Sequence, residues 1–494
     1  MAIQVVTTEQ STLFTIRTKH TTYQMKADEY GVLLHLWYGA SVEGDMSYLL
    51  DYPDVGFSGN LYEAENRRTY SLNTLPLEYA TEGVGDFRIP AVAATHADGS
   101  NALDLRYQSY SIHKGKYAIA GLPAVYADED EAETLEIVLK DTATDLQVTL
   151  RYGVLPELDM LTRCVSIQNL GTTPITLTKA ASFCLDLPYG KWEWMHFHGR
   201  HAMERITERT PLIHGIQESS STRGTSSHHQ NPTAILCTPD CTETNGSCFG
   251  AAFLYSGSFQ TKIEYDQMRQ ARMVMGLHPD LFRWELQPNA TFDTPEVLFT
   301  YSDSGLETLS HRFQKTIREH VCRGKYQKIE RPVLINNWEA TYFDFNEEKI
   351  LKIAEEAARL GVDMLVLDDG WFGKRDNDFC ALGDWVVNEE KIKGGLPALA
   401  ERIHGLGLKF GLWVEPEMIN EDSDLYRKHP DWALKIPGRA MNRSRHQLNL
   451  DITRKEVRDH VMNQIFSVLD ACKVDYVKWD MNRSVDNVFS AALP

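Results

Sequence analysis

The sequence predicts a multidomain β plus α/β protein, and three observations carry that expectation. Up to about Arg331, short apolar or alternating runs between turn-rich stretches dominate, as in β-sandwiches. After Arg331-Pro332 strands and helices alternate, the signature of a parallel sheet with crossover helices. The chain has 494 residues, 43% of them hydrophobic and ten of them tryptophan, which is room for two globular domains or more.

In chain order, Leu135–Leu139, Leu146–Tyr152 and Ile175–Thr178 read as sandwich strands. Leu309, Phe313, Ile317 and Val321 recur at helical spacing and predict a connecting helix over about 306–322. The expected divisions are therefore a β domain at 1–304, a linker helix at 305–330 and an α/β domain at 331–494. Val333–Trp338 is the first parallel strand. Its helix opens at Asn346, an N-cap followed by Glu347 and Glu348 in the electropositive first turn, and stops at Gly361. Met364–Leu367 is a buried strand, a helix at 396–404 leads into the strand Lys409–Val414, and Thr453 with Glu456 reads as a capping box opening a helix through Leu469. Leu448–Leu450 is a candidate short strand. The last strand is Val474–Val477, which runs into Lys478-Trp479-Asp480-Met481-Asn482-Arg483.

Polar residues fall where these strands end: Trp338-Glu339, Asp368-Asp369, Glu415-Pro416-Glu417 and Asp480. An acidic residue after a strand is commonly the N-cap of the next helix, so each instance alone means little. Together they point to one rim of a (β/α) barrel, where catalytic groups from several strands gather. Strand alternation puts Tyr476, Lys478 and Asp480 on one face, which predicts that the lysine sits beside Asp480 and favours its ionised, nucleophilic form. A lone Lys-x-Asp is ordinarily a surface ion pair. Paired carboxylates with aromatic faces suit a sugar, whose C–H face packs on a ring while its hydroxyls donate to carboxylate oxygens. Trp338 and Trp413 are the favoured walls; Trp371 and Trp385 are equally well read as core.

Three motifs in order, Leu367-Asp368-Asp369-Gly370-Trp371-Phe372, Gly411-Leu412-Trp413-Val414-Glu415-Pro416-Glu417-Met418 and Lys478–Arg483, resemble glycoside hydrolase family 36 α-galactosidases of bacterial type. Leu77-Glu78-Tyr79, Gly83 and Gly85–Pro90 are similar to the sandwich segment of the same family, so the resemblance spans essentially the whole chain. It implies a β-sandwich followed by a (β/α)8 TIM barrel and retaining hydrolysis of terminal α-galactosides such as melibiose and raffinose, with no cofactor and no metal. By motif, Asp480 is the nucleophile, Asp368 and Asp369 accept from the galactose O4 and O6 hydroxyls, and Lys478 and Arg445 bind hydroxyls around O2 to O4. Asn482 lies near O2, and Trp338 and Trp413 wall the ring. Family members commonly form homotetramers, which makes that assembly an expectation by analogy.

A retaining enzyme needs two carboxyl groups about 5 Å apart. In the family the acid/base aspartate follows the nucleophile motif on a later strand, so it is expected to be absent from this chain. A full barrel takes about 250 residues, so 331–494 is expected to be an incomplete barrel with open sheet edges and impaired hydrolysis. Three other readings compete. A non-catalytic galactoside-binding fragment would bind galactose without turnover. An α-glucosidase, a family that shares the Trp-x-Asp-Met-Asn segment, would prefer maltose to melibiose. A raffinose-synthase-like galactosyltransferase would pass galactose to sucrose.

The net charge of −19 disfavours nucleic acid and anionic membranes as partners, and no stretch approaches a membrane span. With no leader-like segment after Met1, a cytoplasmic location is the default, and the sequon at Asn245 is unused there. Eight scattered cysteines read as reduced; the spacing of Cys237, Cys241 and Cys248 does not match a zinc knuckle. His196 and His198 could share a strand face, with ordinary polar roles favoured over a metal site, and Ser219–His229 reads as a surface loop.

Overall fold

The computed structural model describes residues 2–57 and 59–493, which divide into two compact units at 1–327 and 328–494. The first unit is antiparallel. Ile3–Thr7, Thr12–Arg17, Thr21–Ala27 and Leu33–Ala40 form a meander. A larger sheet runs from the strand Met203–Pro211 at one edge, through Val297–Ser302 and Met160–Asn169, to Leu105–Lys114 at the other. A third sheet is built around the long strand Ile175–Leu187, paired with Ala271–Leu277. Phe14, Tyr23, Ile137, Leu150, Val165, Phe183 and Phe299 join the three sheets in one core. Alternation explains why these runs are strands: in Leu146–Leu155, Leu146, Val148 and Leu150 are buried while Gln147 and Thr149 are half-buried.

Charges are buried inside this core. Glu78 Oε1 accepts from the Tyr23 and Tyr152 hydroxyls, each at 2.6 Å, and from Arg163 Nη1 at 2.9 Å. Burial alone would raise its carboxyl; Arg163 and His35 outweigh that and hold it below the usual range. Asp86 and Asp186 both bind Arg272, at 2.7 Å. The segments around Glu78 and Asp86 thus supply the polar interior of the sandwich.

Several expectations need correction here. The helix is Gly305–His320, and it packs on Val297–Ser302 and Cys248–Phe253 within the first unit, so it is not a linker over 305–330. Its Leu309 closes over Cys237, Cys241 and Cys248, buried thiols that burial pushes up, Cys237 to about 11. Ser219–Ser221 ends the strand Gly215–Ser221, paired with Phe259–Thr261, and only the residues after it are loop. His196 and His198 do share a face, ring centroids 5.8 Å apart, and His198 pairs with Glu208 at 3.2 Å. Among the described residues no group of three or more His, Cys, Asp or Glu side chains could hold a metal ion, and no helix is long and apolar enough to cross a membrane.

The second unit is a parallel sheet in the order Leu334–Asn336, Met364–Leu367, Lys409–Val414, Tyr476–Trp479 among the described residues. Helices Glu347–Arg359, Leu396–Gly405 and Lys455–Ala471 are its crossovers. Asn346 caps the first as expected, its side chain accepting from the Lys349 N–H at 3.0 Å. The capping box at Thr453 does not form: the hydroxyl donates to Asp451 at 2.5 Å, Glu456 pairs with Arg454, and the helix begins one residue later. The first strand ends at Asn336, whose Oδ1 accepts the Trp338 N–H at 2.8 Å and turns the chain into a short helix, Trp338–Thr341. Gln447–Asn449 is a strand, but it pairs antiparallel with Met418–Asn420 outside the parallel sheet.

Candidate active site

The tips of the four parallel strands converge on one carboxylate-rich cluster. Asp480 directly follows the last strand, its N–H donating to the Val414 carbonyl at 2.8 Å. Its Oδ2 accepts from Trp413 Nε1 at 3.0 Å and Asn482 Nδ2 at 2.8 Å; Oδ1 accepts from the Met481 N–H at 3.0 Å. One oxygen is thus tied twice and the other once.

Asp368 lies beside this arrangement, almost fully buried. Its Oδ2 accepts from Lys478 Nζ at 2.8 Å and Asn336 Nδ2 at 2.5 Å, and its Oδ1 from the Asp369 N–H at 2.9 Å. The expectation that Lys478 pairs with Asp480 is therefore corrected: the lysine pairs with Asp368, the carboxylate at the tip of the second strand. Asp369 is gripped by Arg375, Nε to Oδ1 at 2.9 Å and Nη2 to Oδ2 at 2.8 Å. Burial raises the Asp369 carboxyl, opposed by that guanidinium and reinforced by Asp368. Arg375 is itself fully buried, and its Nη1 donates to the Cys380 carbonyl and to Asn420 Oδ1. Gly370, at φ +106°, makes the turn: a Cβ there would meet the rings of Phe345 and Phe343 at 3.1 and 3.2 Å.

The tryptophans divide differently from expectation. Trp371 and Trp385 are core. Trp413 is only 2% exposed, stacked on Phe372, so it offers the cluster its N–H edge and not an open face. Trp338 is half-buried, edge-on to Tyr342 and Phe343. Glu339 does not join the cluster: it is exposed and accepts from Tyr342. Arg445 sits in the loop after Lys435 and pairs with Asp378 at 3.1 Å; Asp378 in turn lies 3.9 Å from Arg375.

Glu415 and Glu417 take separate partners. Glu415 is wholly buried, accepting from the Asn482 N–H at 2.5 Å and Gln447 Nε2 at 2.9 Å. Burial pushes its carboxyl up to about 7; the Asn482 N–H opposes this, and Asp480 and Asp369 add to it. Both oxygens of Glu417 accept from Trp479 Nε1, at 3.0 and 3.2 Å. Sequence reasoning missed Arg375, Asn336 and Gln447. The doubled carboxamide Asn336-Asn337 at a strand end was a usable signal; Arg375 carried none.

A β-rich unit followed by a parallel α/β unit with carboxylates at its strand tips is an architecture that gathers catalytic groups at the strand ends. A profile for the Glycosyl hydrolase family 36 N-terminal domain matches residues 31–287, and one for Melibiase matches 291–494. The chain belongs to glycosyl hydrolase family 36. It is 54% identical over 97% of its length to the bifunctional alpha-galactosidase/sucrose kinase AgaSK of Mediterraneibacter gnavus, covering 51% of that protein. It is 46% identical over 98% of its length to alpha-galactosidase AgaA of Geobacillus stearothermophilus, covering 66%. The crystal structure of a variant of that AgaA in complex with raffinose superposes with a TM-score of 0.95 at 45% identity, covering 98% of this chain and 67% of the other. The chain thus spans about half to two thirds of the length of the curated relatives it matches.

Proposed function

We propose that this chain carries the nucleophile and sugar-reading side of a retaining α-galactosidase acting on raffinose-type galactosides. The asymmetric hold on Asp480 is the observation that carries the reading. A carboxylate with Oδ2 tied by two N–H donors presents Oδ1 to an anomeric carbon in a fixed direction, as covalent catalysis by a carboxylate requires. Asp368, paired with Lys478, and Asp369, fixed by Arg375, read the axial O4 and O6 hydroxyls. Asn482 and Lys478 reach toward O2 and O3, Arg445 closes over the sugar from its loop, and Trp338 packs on the ring with Trp413 at its edge. Glu415 and Glu417 are not assigned as proton donor: Glu415 is wholly buried against Asn482 and Gln447, and Glu417 is taken up by the Trp479 indole.

Relatives support the substrate class, and the eight free cysteines support a cytoplasmic site of action. Assembly as a homotetramer is proposed by family analogy; sedimentation velocity giving a stable monomer would end that. The nucleophilic half-reaction is tested with 5-fluoro-α-galactosyl fluoride, whose leaving group departs without a proton donor. Mass spectrometry should find one fluorogalactosyl adduct on the peptide containing Asp480, and none after Asp480→Asn. An unmodified Asp480, or label on another carboxylate, sinks the assignment.

A further inference from the structure

Glu415 has no part in the chemistry proposed above, yet it is the most deeply buried acid of the cluster, 0% exposed. Its Oε1 takes the Asn482 peptide N–H, and the carboxamide of that same residue donates to Asp480 Oδ2. Its Oε2 takes Gln447 Nε2, on the ribbon strand Gln447–Asn449. Arg483, one residue beyond Asn482, donates to the Gln447 carbonyl. One acid therefore fastens the turn after Asp480 to two separate elements. Gln447 Oε1 is buried without a hydrogen-bond partner among the described residues, so this amide can reverse and accept a hydrogen bond from a protonated Glu415.

We propose that Glu415 is a positioning residue for Asp480: it fixes the peptide of Asn482 so that the Asn482 carboxamide and the Trp413 indole both stay on Oδ2, leaving Oδ1, which takes only the Met481 N–H, as the attacking oxygen. The inference rests on the reading of Asp480 as nucleophile. The charges that face Glu415 are Asp480 at the last strand tip and Asp369 at the second, the latter neutralised by Arg375. Lys478 is committed to Asp368 and Arg483 to Asp486, so neither cation compensates Glu415. Ionisation at about pH 7 accordingly makes the bond from the Asn482 N–H charge-assisted and adds a negative charge near Asp480, so the contacts on Oδ2 respond to it.

The test uses the full chain with Glu415→Gln and Glu415→Ala and has two readouts. The first is the rate of Asp480 capture by 5-fluoro-α-galactosyl fluoride. The second, independent of any reaction, is the indole N–H resonance of Trp413, assigned with Trp413→Phe. In the parent chain this resonance should titrate with a midpoint near pH 7, and the titration should vanish in Glu415→Gln. Glu415→Gln keeps an oxygen for Asn482 and an N–H for a reversed Gln447, so capture at pH 6 should stay within about threefold of the parent. Glu415→Ala removes the hold and should slow capture roughly tenfold, the upper end of what one hydrogen bond is worth. A titration that survives in Glu415→Gln, or one absent from the parent chain, overturns the inference. So does a folded Glu415→Ala chain with unchanged capture and indole resonance. If the parent is not captured while its Glu415-dependent titration is present, the nucleophile assignment falls and the coupling between Glu415 and Asp480 stands.

Discussion

Asp480 and Glu415 follow the neighbouring strands Tyr476–Trp479 and Lys409–Val414, and their surroundings differ. Asp480 is half-buried and receives three N–H donors, whereas Glu415 is fully buried beside two other acids. Removing the Asn482 carboxamide should therefore matter. Asn482→Ala takes one donor from a charged acceptor, about 1.5–3 kcal/mol, and should slow capture of Asp480 at least tenfold while leaving the backbone N–H to Glu415 in place. A rate within twofold of the parent would deny the carboxamide that role. For Glu415 the sign of the pH effect follows from its raised carboxyl. The folded chain keeps this proton up to about pH 7, and the unfolded chain releases it near 4.5. Between those values the folded state binds more protons, so stability falls as pH rises, by ~3 kcal/mol in all. Glu415→Gln removes that loss, and its melting temperature relative to the parent should climb between pH 5 and pH 8. Parallel curves for the two proteins would refute the shift. Strand alternation, a local rule, led to the expectation that Lys478 pairs with Asp480, and the structure pairs it with Asp368 instead. Which carboxylate the lysine reaches depends on the neighbouring strands and their register, Trp413 opposite Lys478, and that is not written locally.

At the scale of elements, periodic signals survived, and boundary signals survived only in part, at Asn346 and Gly361. The strands Met364–Leu367 and Lys409–Val414 and the helix Glu347–Arg359 repeat their apolar residues often enough to be read directly. The end of the first strand was misread because the Asn336 side chain supplies a turn that hydrophobic patterning does not register, and so Trp338 moved from strand to helix. Thr453 was misread because Asp451, two residues earlier, takes its hydroxyl first. Arg375 was invisible altogether: it lies in an irregular segment, and only the fold brings it to Asp369. That pair nevertheless fastens the turn after Met364–Leu367 to Asn420. Arg375→Ala leaves Asp369 buried and unpaired, and should cost about 3–5 kcal/mol in urea unfolding followed by circular dichroism. A loss below 1 kcal/mol would mean that solvent reaches Asp369 and that the pair is not structural.

Across the whole molecule the two units treat their sheet edges differently. The edge strand Met203–Pro211 of the first unit carries Glu204, Arg205 and Glu208 along an exposed run, and charge of both signs discourages another strand from pairing there. Among the described residues, the edges of the parallel sheet expose apolar side chains instead. On the strand Leu334–Asn336, Leu334 is 43% exposed beside Val333 at 63%, and on Tyr476–Trp479 at the opposite edge Tyr476 and Trp479 are 40% and 49% exposed. Parallel sheets ordinarily have both faces covered, so an apolar edge of this kind attracts any surface that can cover it. The chain should therefore bind a dye such as anilinonaphthalene sulfonate in its native state and self-associate reversibly, despite a net charge of −19 that opposes association. Val333→Lys places a charge on the edge without touching the cluster at the strand tips. It should lower both dye fluorescence and the weight-average sedimentation coefficient, with the rate of Asp480 capture unchanged. If the parent chain binds no dye and the substitution leaves sedimentation unaltered, the association surface lies elsewhere, and the charged rim of the first unit becomes the place to look.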